Sequence, residues 1–237
     1  MSQNGAGAKQ SETSTDWLDA EIGAMYRPLL GGMAHHFNNM LSGMLGWVTL
    51  APTLPPETVA SLGEKVKEQI EHAARLTRFV LSITRRAGEP VGVAACDVTM
   101  WARDTVAVVR TTAPHGVVLA LDSGADKSLW ASVSPVDFAR LLLHLMLLAV
   151  EEAGERSTDR LEIALTRAGD RSVVELRGVF LSAMATANDP EANQTRSQRS
   201  WRAALRLAAQ CEATLSSERT IEGVGVWRLL FKSAPER

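Results

Sequence analysis

Apolar side chains recur at alternating steps of three and four residues along the first third of the chain, which is the spacing of one buried helical face. Pro52, Pro55 and Pro56 interrupt this pattern once, and Pro90 ends it. The pattern therefore predicts two long antiparallel helices joined by a short link. The first face contains Leu30, Met33, Phe37, Met40, Met44, Trp47 and Ala51, and the second contains Val59, Leu62, Val66, Ala73, Leu76, Val80 and Ile83.

A helical hairpin of this kind has a continuous apolar seam and little of its own to bury it against. We therefore expect two copies to form a homodimeric four-helix bundle. The hairpin is assigned to residues 16–90, and Pro28 suits the first turn of its first long helix. Residues 1–15 lack apolar periodicity and are expected to form a disordered tail.

After Pro90 the period changes, and short β-branched runs alternate with helical stretches. This indicates an α/β domain over residues 91–237, in which helices cover one face of a mixed sheet. One helix begins at Ser134-Pro135 and runs to Val150, another spans Ser200–Cys211, and residues 183–198 read as a loop. The predicted strands are Val117–Leu121, Leu129–Val133, Leu161–Thr166, Val173–Leu176 and Val224–Phe231.

Charge and composition exclude several classes of function. The formal net charge is −2 and the basic residues are spread along the chain, so no nucleic-acid surface is indicated. The chain shows no signal-peptide pattern and no apolar run of the roughly 20 residues that span a bilayer. Cys96 and Cys211 have no metal-ligand spacing, so we expect buried thiols, a disulfide being less favoured. We therefore expect a cytoplasmic protein without nucleic-acid or membrane partners.

The candidate chemistry lies in the first helix. If Leu30 occupies heptad position a, His35 falls at position f, directly opposite the seam, His36 falls at g, and Asn39 follows one turn after His35. An exposed imidazole can act as a nucleophile toward an electrophile that a partner brings. The alternatives are a solvated surface histidine or a metal ligand, and the metal is disfavoured because adjacent histidines diverge around a helix.

The run GGMAHHFNNMLSGMLGWVTLA closely resembles the phosphoacceptor helix of bacterial sensor histidine kinases whose motif reads GG-x-A-H-D-F-N-N-x-L, and HAARLTRFVLSITRRAGEP resembles their second helix. The resemblance implies that His35 is the phosphorylated residue and that the hairpin dimerises. It also implies that Asn39 is the polar residue that positions a water when the partner is dephosphorylated. The second half of the chain would then be the ATP-binding α/β sandwich of that family.

The chain departs from the family pattern at the residues that handle ATP. His36 replaces the Asp or Glu that follows the phosphoacceptor, and it brings no negative charge to an imidazolium. The family's N-L-L-x-N-A reads His144-Leu145-Met146-Leu147-Leu148-Ala149, so both asparagines are missing. Arg177-Gly178-Val179-Phe180 stands where the D-x-G-x-G loop should begin, and Gly223 and Gly225 suit a hairpin turn. We predict a degenerate domain with no ATP and no cofactor, Mg²⁺ being expected only on a partner receiver domain.

These features predict a histidine phosphotransferase of a two-component phosphorelay, which moves phosphoryl groups between His35 and receiver-domain aspartates. Its partners would be response-regulator receivers and a donor hybrid histidine kinase. A non-catalytic pseudokinase scaffold and a response-regulator phosphatase are the alternatives, and an active kinase is the least favoured. The register places His35 level with Ala73 on the second helix, with Arg75 nearby and Lys67 toward the hairpin turn, where they could meet an acidic receiver.

Overall fold

The computed structural model describes residues 6–84, 95–114, 116–124, 128–153, 160–179 and 195–235. The chain begins with two long helices, α1 (Ala6–Leu50) and α2 (Pro56–Thr84), which a 3₁₀ turn at Ala51–Thr53 connects. Proline within this link removes backbone donors that a continuing helix would need. The prediction of a helical hairpin with a short link is confirmed.

Helix α1 is longer at its start than the sequence predicted. It begins at Ala6, whereas a disordered tail was expected through residue 15, and residues 1–5 lie outside the described residues. Ala6, Ala8, Lys9 and Gln10 are strong helix formers, which accounts for the extension. Pro28 lies inside α1 and does not begin a new helix. The domain division at residue 90 falls within residues 85–94, outside the described part, and stays a prediction.

The second half alternates strands and helices around one mixed sheet. The elements are β1 (Ala95–Asp97), α3 (Val98–Arg110), β2 (Val118–Asp122), β3 (Trp130–Ser132), α4 (Pro135–Ala153), β4 (Arg160–Ala168), β5 (Arg171–Gly178), α5 (Arg196–Gln210), β6 (Thr214–Arg219) and β7 (Gly225–Lys232). Five of the strands lie in the order β2-β4-β5-β7-β6, with β2 and β4 parallel and the other neighbours antiparallel. Strands β1 and β3 form a separate antiparallel pair.

The three helices of this half pack on one face of the five-stranded sheet. On that face Leu176, Trp227 and Leu229 are completely buried, while Arg177 and Arg228 alternate onto the other face. The predicted fold class, a helical hairpin followed by an α/β domain whose helices cover one face of a mixed sheet, is confirmed. A four-helix bundle needs a second chain and stays a prediction.

Some elements differ from the sequence prediction. The five predicted strands are present, with ends shifted by at most two residues, but β1, α3 and β6 were not predicted. Helix α5 begins at Arg196, four residues before the predicted Ser200, because Thr195 and Gln198 form a reciprocal capping box. The predicted loop at residues 183–198 is thereby shorter at its end, and residues 180–194 lie outside the described residues.

The hairpin and the α/β domain share one hydrophobic core. The same cluster contains α3 and α4 side chains and six residues of the hairpin. The part of the hairpin that is remote from the link between α1 and α2 is therefore buried against the chain's own second domain. This corrects the expectation that a second copy of the chain is needed to cover the whole apolar seam. The six hairpin residues are Tyr26, Leu29, Met33, Leu76, Phe79 and Ile83.

This packing also corrects the register of the first helical face. Leu29 is 1% exposed, whereas Leu30, which the sequence placed in the seam, is 47% exposed. Met33 and Met40 are buried as predicted, and Phe37, Met44, Trp47 and Ala51 are partly buried. The buried face is rotated toward Leu29, which lies in one hydrophobic cluster with side chains of α4 and α5, the second-domain helices that contact α1.

Three polar contacts accompany the shared core. The guanidinium of Arg140 on α4 donates from Nε to the Ile83 carbonyl at 2.8 Å, and the Tyr26 hydroxyl donates to the Arg140 carbonyl at 3.4 Å. Ser200 on α5 donates to the Glu21 carboxylate at 2.8 Å. Each contact joins the hairpin to the second domain, so the two halves are attached at several points along α1 and α2.

Both cysteines are free and buried, as expected from the sequence. Burial raises the pKa of Cys96 and of Cys211 to about 12, so neither thiol is a nucleophile near neutral pH. None of the described helices combines the length and the apolar character that crossing a bilayer requires.

Candidate functional site

His35 lies in the middle of α1 with its side chain exposed, as the heptad register predicted. The amide Nδ2 of Asn39, one turn along the helix, lies 3.1 Å from the imidazole Nε2 of His35. An amide nitrogen can only donate, so Nε2 accepts this hydrogen bond and the ring proton of the neutral tautomer sits on Nδ1. The geometry thus leaves a lone pair on Nε2, the nitrogen that faces Asn39.

His36 points away from His35 and toward α2. Its ring is half-buried and contacts the ring of His72 edge to face, with centroids 6.0 Å apart and planes at 88°. The Nε2 atom of His36 is buried and has no hydrogen-bond partner among the described residues. His36 therefore contacts α2, and its role as a candidate catalytic residue stays a prediction.

The contact between His36 and His72 agrees with the predicted register between α1 and α2. Pairing His36 with His72 is the same antiparallel register as pairing His35 with Ala73. His72 itself was not singled out as a candidate from the sequence, although it is the first residue of the run that resembles the family's second helix. The register alone could have found it, since it places residue 72 opposite residue 36.

Charged side chains from α2 and α3 surround His72. Partial burial lowers the pKa of His72, and the Arg75 guanidinium and His36 add to this effect while Asp104 opposes it. Partial burial raises the pKa of Asp104 on α3, against the effects of Arg75, Arg78 and His72. Arg75 therefore faces the chain's own second domain, whereas Lys67 is an exposed partner of Glu64 at 3.9 Å.

The end of α3 approaches α1 one turn before His35. A Cβ atom added to Gly32 would lie 2.3 Å from the Thr112 methyl carbon and 3.5 Å from the Thr111 carbonyl oxygen. Any side chain here would require the Thr112 side chain to shift, because carbon atoms in contact are normally about 3.5–4.0 Å apart. The second domain therefore lies against the helix that carries the imidazole.

The two positions at which the family motif has asparagines are both in the core. His144 and Leu148 on α4 are completely buried. The His144 Nε2 lies 2.8 Å from the Ser200 carbonyl oxygen on α5, and its buried Nδ1 has no described partner. Burial lowers the pKa of His144, which favours the neutral ring. Neither side chain can reach a nucleotide or a magnesium ion.

The end of β5, where the family's adenine loop would begin, borders an open groove of about 450 Å³. Arg177 and Arg228 line this groove, and both are paired with the carboxylate of Glu175. Arg228 also pairs with the carboxylate of Glu218, so the two guanidinium charges lie against two carboxylates rather than open to a phosphate. Within the described ranges no cluster of three or more histidine, cysteine or acidic side chains is arranged to hold a metal ion.

A helical hairpin with an outward histidine, followed by an α/β domain packed on it, is the arrangement that the resemblance in the sequence implied. No family model and no curated protein matches the chain. Solved structures do match. The catalytic domain of the histidine kinase ThkA has a TM-score of 0.49 at 10% identity, covering 62% of this chain and 100% of that chain.

Two further solved structures match over nearly the whole chain. A histidine kinase from Burkholderia phymatum has a TM-score of 0.47 at 15% identity and covers 94% of this chain and 99% of its own. A bacterial phosphotransferase has a TM-score of 0.44 at 16% identity and covers 89% of this chain and 96% of its own. These proteins are of the class that the sequence motif resembles.

Proposed function

We propose that the protein is a histidine phosphotransferase of a two-component phosphorelay, acting in the cytoplasm without ATP. The observation that carries the proposal is the exposed His35 ring on a rigid helix, with its Nε2 lone pair held by Asn39. An imidazole nitrogen that carries a lone pair can attack a phosphoryl group once the Asn39 hydrogen bond is released. The electrophile must come from a partner.

The reaction exchanges one P–O bond for one P–N bond. The lone pair of His35 Nε2 attacks the phosphorus of a receiver's aspartyl phosphate, and the aspartate carboxylate leaves with the electron pair of the broken P–O bond. The proton on Nδ1 stays on the phosphorylated ring. Attack by the aspartate of a second receiver reverses the step. Asn39 must release Nε2 before attack, and its amide can then donate to a phosphoryl oxygen.

The second domain is consistent with an activity that draws no phosphoryl group from ATP. The buried His144 and Leu148 offer no ligands, and α5 packs directly on α4 at this point. In a phosphorelay the receiver supplies magnesium and the acidic cluster, so the histidine protein needs only an imidazole on a docking surface. Mg²⁺ is therefore expected on the receiver alone.

Homodimerisation is part of the proposal, and exposed apolar side chains on α1 near the link to α2 support it. Leu41, Leu45 and Val48 are 61%, 68% and 61% exposed and recur at helical spacing on α1. We name these three residues the exposed stripe. It continues the line of Leu30 and lies about 120° around the helix from His35, so a second copy could cover it without hiding the imidazole.

The test is phosphotransfer in trans. The protein is incubated with labelled ATP and magnesium alone, and separately with receiver domains from the same genome phosphorylated by labelled acetyl phosphate. We expect no label from ATP and rapid labelling from at least one receiver, lost in His35→Gln and retained in His36→Gln. Label from ATP alone would contradict the proposal, as would receiver-dependent label that persists in His35→Gln.

Asn39 favours a response-regulator phosphatase as the second candidate function, because an amide beside the imidazole is placed to hold a water. On that account phosphorylated receivers lose phosphate in the presence of the protein, Asn39→Ala abolishes the loss, and His35 is never labelled. A pseudokinase scaffold gives a third pattern, in which receivers bind equally well to the wild type and to His35→Gln and neither reaction occurs.

A further inference from the structure

The two glycines that precede the candidate phosphoacceptor are not equivalent. A Cβ atom added to Gly31 would meet nothing within 4 Å. A Cβ atom added to Gly32 would lie 2.3 Å from Cγ2 and 3.2 Å from Cβ of Thr112. Gly32 is therefore the point at which α1 admits the end of α3, while Gly31 is simply an exposed helix position.

This contact lies close to the imidazole. Gly32 precedes His35 by three residues, which is about 4.5 Å along the helix axis and about 60° around it. A protein partner buries about 800 Å² on each side of a standard interface, a patch far wider than that separation. A partner that covers a standard interface around His35 would extend over Thr111 and Thr112.

Helix α3 is held in this position at several places. Val108 and Val109 are completely buried, and the rings of Phe79 on α2 and Trp101 on α3 contact each other with centroids 6.0 Å apart. Asp104 faces His72 and Arg75 on α2. The end of α3 is thus a fixed part of the surface around His35.

We propose that Gly32 is a positioning residue for exchange at His35, because its missing side chain lets Thr111 and Thr112 dock beside the imidazole as one wall of the partner site. This rests on the proposed phosphotransferase function. Thr111 and Thr112 affect how well the partner docks, whereas the exposed ring of His35 keeps its own reactivity.

The experiment compares Gly32→Ala with Gly31→Ala, Thr112→Ala and the double variant Gly32→Ala/Thr112→Ala in the full chain. Both glycine variants gain the same helix propensity, so Gly31→Ala is the matched control. The kinetics of transfer are measured with the receiver domain that labels the wild type best. For Gly32→Ala we expect KM to rise about tenfold with kcat near the wild-type value, and for Gly31→Ala both within about twofold.

Rescue separates a steric contact from a general loss of structure. The double variant removes the Thr112 methyl, so its KM should return to within about threefold of that of Thr112→Ala alone. A double variant as impaired as Gly32→Ala would overturn the proposal. So would equal kinetics for Gly32→Ala and Gly31→Ala.

A second readout does not depend on any receiver. Amide hydrogen exchange at Thr111 and Thr112, whose N–H groups bond to Val108 and Val109 carbonyls, should accelerate in Gly32→Ala, stay unchanged in Gly31→Ala and recover in the double variant. Labelling of His35 by potassium phosphoramidate, a small donor, should be equal in all variants. If no receiver labels the wild type, the phosphotransferase function fails, yet hydrogen exchange still decides whether Gly32 sets the docking of α3.

Discussion

Replacement of Leu29 by alanine tests whether the hairpin and the α/β domain share one core. Leu29 is 1% exposed and belongs to the same cluster as the α3 and α4 core residues. Truncation of such a leucine costs about 2–5 kcal/mol, a large part of the total of about 5–15 kcal/mol for a typical domain. For a chain of 237 residues a loss of about 3 kcal/mol lowers the melting midpoint by about 6–12 °C.

The assay is urea unfolding followed by two probes. Far-UV circular dichroism is dominated by α1 and α2, whereas tryptophan emission includes Trp227, which is fully buried under the sheet helices. Both transitions should coincide in the wild type and move together in Leu29→Ala. Leu81→Ala is the matched control, because Leu81 is 60% exposed and should cost less than about 1 kcal/mol. Separate transitions, with only the dichroism midpoint shifted by Leu29→Ala, would refute the shared core.

Three further predictions follow from individual contacts. Ser200→Ala removes the hydrogen bond to Glu21 and should lower the free energy of unfolding by about 1.5 kcal/mol, with Ser197→Ala as the control; an unchanged urea midpoint would contradict it. Burial lowers the pKa of His144 below its usual 6.5, so the folded state binds fewer protons than the unfolded state. The free energy of unfolding should therefore decrease as the pH falls below 6.5, and it should depend less on pH in His144→Gln. An identical pH profile for both proteins would contradict the burial of His144. Leu45→Glu places a charge in the exposed stripe and should convert the proposed dimer to a monomer, as measured by light scattering. Ile221→Glu, in a fully exposed turn, is the control and should leave the molar mass unchanged. A dimer of Leu45→Glu would exclude the exposed stripe as the interface.

The hairpin and the strands could be predicted because each follows a local period of apolar residues. Helix α3 was missed because its sequence is rich in β-branched residues, and β6 because it is a polar edge strand with Leu215 as its one large apolar side chain. Both form through contacts with distant segments. The sequence nevertheless held a signal for α3, because its buried positions Val98, Ala102, Val106 and Val109 recur at helical spacing after the N-cap.

The choice between Leu29 and Leu30 shows the same limit. Both are leucines on adjacent faces of α1, and the pattern fits either as the seam residue. The packing of α4 and α5 against α1 decides in favour of Leu29, and such long-range contacts are not encoded in the local pattern. Leu30 is left in line with the exposed stripe, so the predicted dimer face and the core face are two neighbouring surfaces of one helix.

Contacts of the candidate site within one helix could be predicted from the sequence, whereas contacts between different elements were not predicted. The spacing of His35 and Asn39 predicted that they share one helix face, and the structure joins them by a hydrogen bond. The contact of Gly32 with Thr112 and the contact of His36 with His72 join different elements. They could not be derived from a motif within α1.

The most direct measurement of the central claim is the location of the phosphoryl group. The protein is incubated without ATP with a receiver domain phosphorylated by acetyl phosphate, digested near neutral pH, and its peptides are mapped by mass spectrometry. We predict an acid-labile, alkali-stable phosphoryl group on the peptide that contains His35, absent from His35→Gln. A phosphoryl group on any other residue, or one that forms only when ATP is added, would contradict the account.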